Sequence, residues 1–331
     1  MDDIATQYRT IIDAPDGAGW IERTDRGRLR FDGADRIPFL HALLTNDVAG
    51  LAPGSGTLAL YLTPQGRTIT DLHVFVRPDD VLADVPAALA ARLAIALDSL
   101  IFAEDVRVTD VSASTAQISV VGPRAVAVLS QLAGTTVTAL KQLAAWSHVP
   151  VPNGFVVRTD DFAVGSWDLL VEAAEMPGIR QALAHHRVVP MTDAFFETIR
   201  IEAGRPRFGV DFTEETIPLE AGLLDRAISR TKGCYVGQEV IIRVLDRGAG
   251  RVARRLVRLS IDPGPEAPPA EARILVEGRD VGRITSVSRS PHDAGSIALG
   301  YVTRDTAESS PPVTLAWADR TATARITGLA G

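Results

Sequence analysis

The sequence predicts an α+β region over residues 1–250 followed by an all-β barrel over 251–331, and three observations predict it. At 331 residues the chain is too long for one compact core, so two or three domains are expected. A strand–glycine–helix unit occurs twice, once around Gly33 and once around Gly122. From Arg254 onward the pattern changes to short runs of period-two alternation, which is the mark of strands in a small barrel or sandwich.

Taken in order, residues 1–19 read as a short helix and loop. Leu29–Gly33 reads as a strand, and Ala34–Asp47 as a helix with Ile37, Leu40, Leu43 and Leu44 on one face. Thr57–Thr63 and Thr68–Val76 alternate like two strands joined by a turn at Pro64-Gln-Gly66. Period two places Ile69, Asp71, His73 and Phe75 on one face, and a carboxylate there needs a polar partner. Val81–Val85 is a strand and Pro86–Leu100 a helix with proline at its start. Ile118–Gly122 and the helix from Pro123 to Leu132 repeat the first unit. Phe155–Val164 and Trp167–Val171 are strands, and Pro177–His186 and Asp193–Ala203 helices, the latter ended by Gly204. Residues 205–250 show little period and read as a long ordered loop region, the kind that carries function. The barrel strands are expected at Val257–Ile261, Arg273–Val276, Val281–Ser288, Ser296–Val302, Val313–Trp317 and Ala322–Ile326. Within the α+β region, two subdomains are expected: about 1–110 with 190–250, and about 111–189.

Composition narrows the function. Hydrophobic residues make up 46% and charged residues 23%, ordinary for a globular protein. The acidic N-terminus has no apolar signal region, and no run is long enough to span a bilayer, so no membrane association is expected. A single cysteine fits a reducing cytoplasm and cannot hold a cluster alone. A net charge of −7 argues against nucleic acid as partner. The six histidines show no metal-ligand spacing, so no metal site is expected. There is no phosphate-binding glycine loop and no nucleophile elbow around a serine.

The chemistry concentrates around Cys234. Lys232 and Gly233 precede it, and Tyr235, Gly237, Gln238 and Glu239 follow. A nearby ammonium favours the thiolate, so Cys234 is expected to be an accessible, reactive thiol assisted by Lys232. Downstream, Arg243–Arg258 holds six arginines against Asp246, a local +5 that reads as an anion path.

The octapeptide Lys-Gly-Cys-Tyr-Val-Gly-Gln-Glu resembles the motif of the YgfZ family, folate-binding relatives of the glycine cleavage T-protein that assist iron–sulfur proteins. Arg200–Asp211, Ile217–Gly222 and Leu62–Arg67 followed by Asp71 resemble segments of the same family, so the resemblance runs from about residue 25 to at least 260. It implies a T-protein-like fold of two α+β parts with a C-terminal barrel, tetrahydrofolate as cofactor, and iron–sulfur assembly proteins or client enzymes as partners. It further implies that Glu202 pairs with the pterin, that Phe196 contacts folate, and that Asp71 matches the T-protein's catalytic aspartate. Thr70 stands where that family often has a second acid. Arg230 and Arg243, flanking the cysteine segment, are candidates for the folate glutamate carboxylate. The expectation is a cytoplasmic, monomeric binding protein, with a folate-dependent aminomethyltransferase or demethylase as the alternative.

Overall fold

The computed structural model of the chain describes residues 3–246, 248 and 250–331. Helix α1 (Ile4–Tyr8) opens the chain, followed by strands β1 (Gly19–Glu22) and β2 (Arg26–Asp32). Then come α2 (Arg36–Leu43), β3 (Ser55–Leu62), β4 (Thr68–Val76), β5 (Val81–Pro86), α3 (Ala90–Asp98) and β6 (Arg107–Asp110). A second series follows: β7 (Thr115–Val121), α4 (Ala125–Leu132), α5 (Val137–Lys141), β8 (His148–Val151), β9 (Gly154–Thr159), β10 (Ser166–Glu172), α6 (Met176–His185) and β11 (Val189–Pro190). Helix α7 (Asp193–Glu202) leads into a long connection that holds α8 (Leu224–Ala227) and α9 (Gln238–Asp246). The last part comprises β12 (Arg254–Ile261), β13 (Arg273–Val276), β14 (Arg279–Arg289), β15 (Ser296–Thr303), α10 (Arg304–Ser309), β16 (Pro312–Trp317) and β17 (Arg320–Leu329), with its six strands closed into a barrel.

The duplicated unit is real and its glycines are obligatory. Gly33 and Gly122 have φ of 106° and 107°, a region that favours glycine. A Cβ on Gly33 would lie 2.0 Å from the Asp105 carbonyl, and one on Gly122 would lie 2.5 Å from that of Ile11. The helix expected over Ala34–Asp47 is shorter: α2 stops at Leu43, and Thr45 turns away to give its hydroxyl to the Ala227 carbonyl.

The two halves exchange their leading strands. The first sheet has the order β3-β4-β5-β2-β6, and the second β11-β1-β7-β10-β9-β8. Strand β1, which precedes β2 in the chain, pairs antiparallel with β7 in the second sheet. Strand β6, which precedes β7, pairs antiparallel with β2 in the first. Gly19–Glu22, placed by the sequence in a first subdomain of about residues 1–110 with 190–250, therefore belongs to the other sheet. The crossing segments are Arg23–Asp25 and Val111–Ser114.

The segment 205–250 is not simply loop. Its apolar residues lack period because turns place them one at a time, yet Phe212, Leu219, Leu223, Tyr235 and Ile241 all pack into the core between the sheets, beside Leu60, Phe75, Phe155 and Leu170. No helix among the described residues is long and apolar enough to cross a membrane.

Candidate functional site

A cavity opens where the first sheet, the Arg23–Asp25 crossing, α7 and the 205–226 segment meet; its lining includes Asp71, His73, Phe162, Phe196 and six arginines, residues 23, 26, 200, 205, 207 and 226. The cations are anchored rather than loose. Arg26, almost fully buried, donates through Nε to Asp84 at 2.6 Å and through Nη1 to Asp71 Oδ2 at 3.2 Å. Arg200 bonds Asp211 at 2.7 Å and Glu197 at 2.8 Å. The barrel closes this network from behind: Thr285 and Ser286 of β14 donate to Asp211 Oδ1, and Arg200 donates to Ser286. Arg23 lies over the Phe196 ring at 4.8 Å, and Phe162 meets that ring edge-on.

Within this frame Asp71 is special. One carboxylate oxygen takes the Arg26 bond, while Oδ1 is buried with no hydrogen-bond partner. A buried acceptor left without a donor costs free energy, so such an atom in a cavity wall points to a ligand donor. Two residues along β4, His73 stacks on Trp146 at 4.3 Å and meets Asp84 through Nδ1 at 3.3 Å. Burial alone would raise the Asp84 carboxyl; Arg26, then His73, outweigh it and hold it well below the usual range. Behind them Gln117 bridges Asp84 and Asp168, and burial pushes Asp168 up to about 6.

The other predicted residues fall in different places. Glu202 does not line the cavity. Tyr8 donates to both its oxygens, at 3.2 and 3.0 Å, and His292 Nε2 lies 2.6 Å away, tying α1, α7 and the barrel together. Arg230 pairs with Asp225 and Arg243 with Glu239 on the surface, away from the cavity lining. Of the expected anion path, Arg254 is bound to Glu220, and Arg247 lies outside the described residues.

Around the cysteine, the Lys232 ammonium is engaged by backbone carbonyls. It donates to those of His41, Leu44 and, at 3.2 Å, Asn46. These carbonyls lie at the end of α2, where free acceptors and the helix dipole attract a cation. Burial also lowers Lys232 to about 8. Tyr235 is buried, with burial pushing its hydroxyl up to about 12. Gly237 has φ 82° and sits against the β3–β4 turn, where a Cβ would lie 2.5 Å from the Thr63 carbonyl. Gln238 and Glu239 open α9. Cys234 itself is exposed, and Gly233 has open space beside it.

Sequence reasoning missed Arg26, Asp84 and Arg200. One signal was present: Arg26, Arg28 and Arg30 alternate along β2, a period-two row of cations in a strand that must be half buried.

Two α+β halves that trade strands, a closed barrel behind them and an arginine-walled cavity at the junction define a three-part protein organised around one central site. Residues 13–232 match the GCVT N-terminal domain, and residues 254–330 match the glycine cleavage T-protein C-terminal barrel domain. The chain belongs to the glycine cleavage T-protein family, whose aminomethyltransferases use tetrahydrofolate. It is 30% identical to an aminomethyltransferase of Geobacillus kaustophilus, covering 88% of this chain and 80% of the relative. It is 28% identical to a putative chloroplastic transferase of Arabidopsis thaliana, covering 92% and 70%. The fold is that of the glycine cleavage aminomethyltransferase of Bartonella henselae, with a TM-score of 0.86 over 98% of this chain and 88% of that one at 20% identity.

Proposed function

We propose that the protein binds tetrahydrofolate in the central cavity and acts there as a folate-dependent, aminomethyltransferase-like protein. The observation that carries this reading is Asp71, whose Oδ1 is buried in the wall without a donor. Tetrahydrofolate supplies the nitrogens that carry a one-carbon unit. A carboxylate held in place by Arg26 accepts an N–H from such a nitrogen, or stabilises positive charge developing on it. Phe162 and Phe196 offer faces for a flat ring, and Arg207, half-exposed, offers donors for a carboxylate.

Calorimetric titration with tetrahydrofolate tests this. Asp71→Asn should weaken binding about tenfold, the scale of one charged hydrogen bond. Unchanged affinity removes Asp71 from the site, and no binding by the wild type removes the reading. Formation of a one-carbon-loaded folate from tetrahydrofolate and an aminomethyl donor tests the reaction itself. Pairing of Glu202 with the pterin is a separate proposal, since Tyr8 and His292 hold that carboxylate. Glu202→Ala with unchanged affinity would exclude it.

A second reading, YgfZ-type assistance to iron–sulfur enzymes, is favoured by the cysteine loop. Lys232, Tyr235 and Gly237 are each fixed by packing or hydrogen bonds, and between them the structure holds one exposed thiol. A thiolate ligates iron or exchanges with another thiol, and a lone cysteine needs ligands from a partner. Cys234→Ser should keep tetrahydrofolate binding while failing to restore iron–sulfur enzyme activity in cells lacking the protein. Full restoration would leave aminomethyl transfer as the better account.

A further inference from the structure

The internal duplication extends to the cavity. Arg26 and Thr115 both stand seven residues before the glycine that ends their strand–glycine unit, and Arg28 and Gln117 five before it. Asp84 is paired with Arg28 on one side and His73 on the other. In the second sheet Leu170 is paired with Gln117 and Phe155. His73 therefore corresponds to Phe155, Asp71 to Asn153, and the Arg23–Asp25 crossing to Ser112–Ser114. Asp25, Arg26, Asp71 and His73 line the central cavity; their counterparts Ser114, Thr115, Asn153 and Phe155 line a separate groove of about 350 Å³ that shares no lining residue with it.

We infer that this groove is a second ligand site, for a small oxyanion carried on an apolar body. Its cations come from the first half: Arg28, Arg30 and Arg77. Arg28 is 5% exposed and has no carboxylate within ion-pair distance among the described residues. Its guanidinium donates only to neutral oxygens, Thr115 Oγ1 at 2.6 Å and the carbonyls of Arg26, Ser112 and Thr115 at 3.1 Å. Asp84 and Asp110 act on it only from beyond ion-pair distance, burial outweighs them, and an oxyanion in the groove would relieve that cost. Arg30 spends Nε on Asp32, and Arg77 spends Nε and Nη2 on Asp80, so both terminal nitrogens of Arg30 and Nη1 of Arg77 have no acceptor among the described residues. Leu82, Phe155 and Leu170 form an apolar floor. Glu172 is the one acid of the lining and is exposed, where water screens it. Asn153 in the place of Asp71 removes the negative charge that would repel such a ligand. A pocket between domains, apolar in floor with a few convergent polar groups, is a typical small-molecule site.

The test is calorimetry on the full-length protein with benzoate and phenyl phosphate as probes. The two arms distinguish a carboxylate from a phosphate ligand. Saturable binding of either probe is expected, weakened about tenfold in Arg30→Gln, where a charged donor is lost. Glu172→Gln should tighten it, and tetrahydrofolate titrations should be unchanged in both variants, since neither residue lines the central cavity. No saturable binding of either probe overturns the inference. So does equal probe affinity in Arg30→Gln, or weaker probe binding in Glu172→Gln. Neither result bears on the central cavity, so this inference and the folate reading fail separately.

Discussion

Asp168 makes the interface between the halves sensitive to pH. Its carboxylate is 4% exposed and accepts from Gln117 Nε2 at 2.7 Å and Ser119 Oγ at 2.6 Å, with no ion pair among the described residues. Burial raises it from the ordinary 3.8 to about 6. Between pH 4 and 6 the folded protein keeps a proton that the unfolded chain releases. Stability is therefore fully present below pH 4, falls as pH rises through that window, and stays lower above it. A rise from 3.8 to about 6 corresponds to a loss of about 3 kcal/mol at pH 7. Asp168→Asn removes the ionisation. The new amide has acceptors to meet, since the Ser119 hydroxyl can accept and Gln117 Oε1 is buried without a partner. Urea midpoints measured from pH 4 to 8 for both proteins are the assay. The difference between variant and wild type should grow between pH 4 and 6 and then level, with the variant more stable at pH 7. A difference that does not change with pH, or a variant less stable at pH 7, would refute the reasoning.

Other expected outcomes follow from single contacts. Gly237→Ala should lose roughly 2–3 kcal/mol in urea unfolding, because it combines a left-handed φ with a Cβ pressed against the Thr63 carbonyl. Lys232→Met should lose about 1–3 kcal/mol by stranding the carbonyls at the end of α2, while alkylation of Cys234 proceeds at an unchanged rate; a slower rate would restore Lys232 as an activator of the thiol. Tyr8→Phe should cost about 1–2 kcal/mol by removing the donor to Glu202, and unchanged stability would show that contact to be incidental.

The barrel was readable because each strand carries its own alternation; Arg273–Val276 has the same bounds in sequence and structure. The strand–glycine–helix units were readable for a related reason, since the glycine is a local steric demand. β1, β6 and β11 are two to four residues long, and their pairing is decided across the chain by partners remote in sequence. Helix α9 was hidden because its apolar residues, Val240, Ile241, Ile242, Val244 and Leu245, sit in a segment rich in turns. Asp71 was visible as a polar residue on an apolar strand face. Its dependence on Arg26 and Asp84 was not, because that contact joins strands 45 residues apart. The partners of Lys232 were hidden for the same reason: a helix end nearly 200 residues away in sequence takes the ammonium.

The strand exchange fixes a timetable for biosynthesis. As the chain leaves the ribosome from its N-terminus, Gly19–Glu22 emerges about a hundred residues ahead of Thr115–Val121, its antiparallel partner, and still further ahead of Val189–Pro190, its parallel one. The first half can pair β2 through β5 as soon as Pro86 is out, and it recruits β6 only after Asp110. Throughout that interval the Arg23–Asp25 crossing, one wall of the central cavity, hangs from a strand with nothing to bind. The earliest strand to be made is among the last to be placed, so the cavity takes shape only when synthesis has passed the second half.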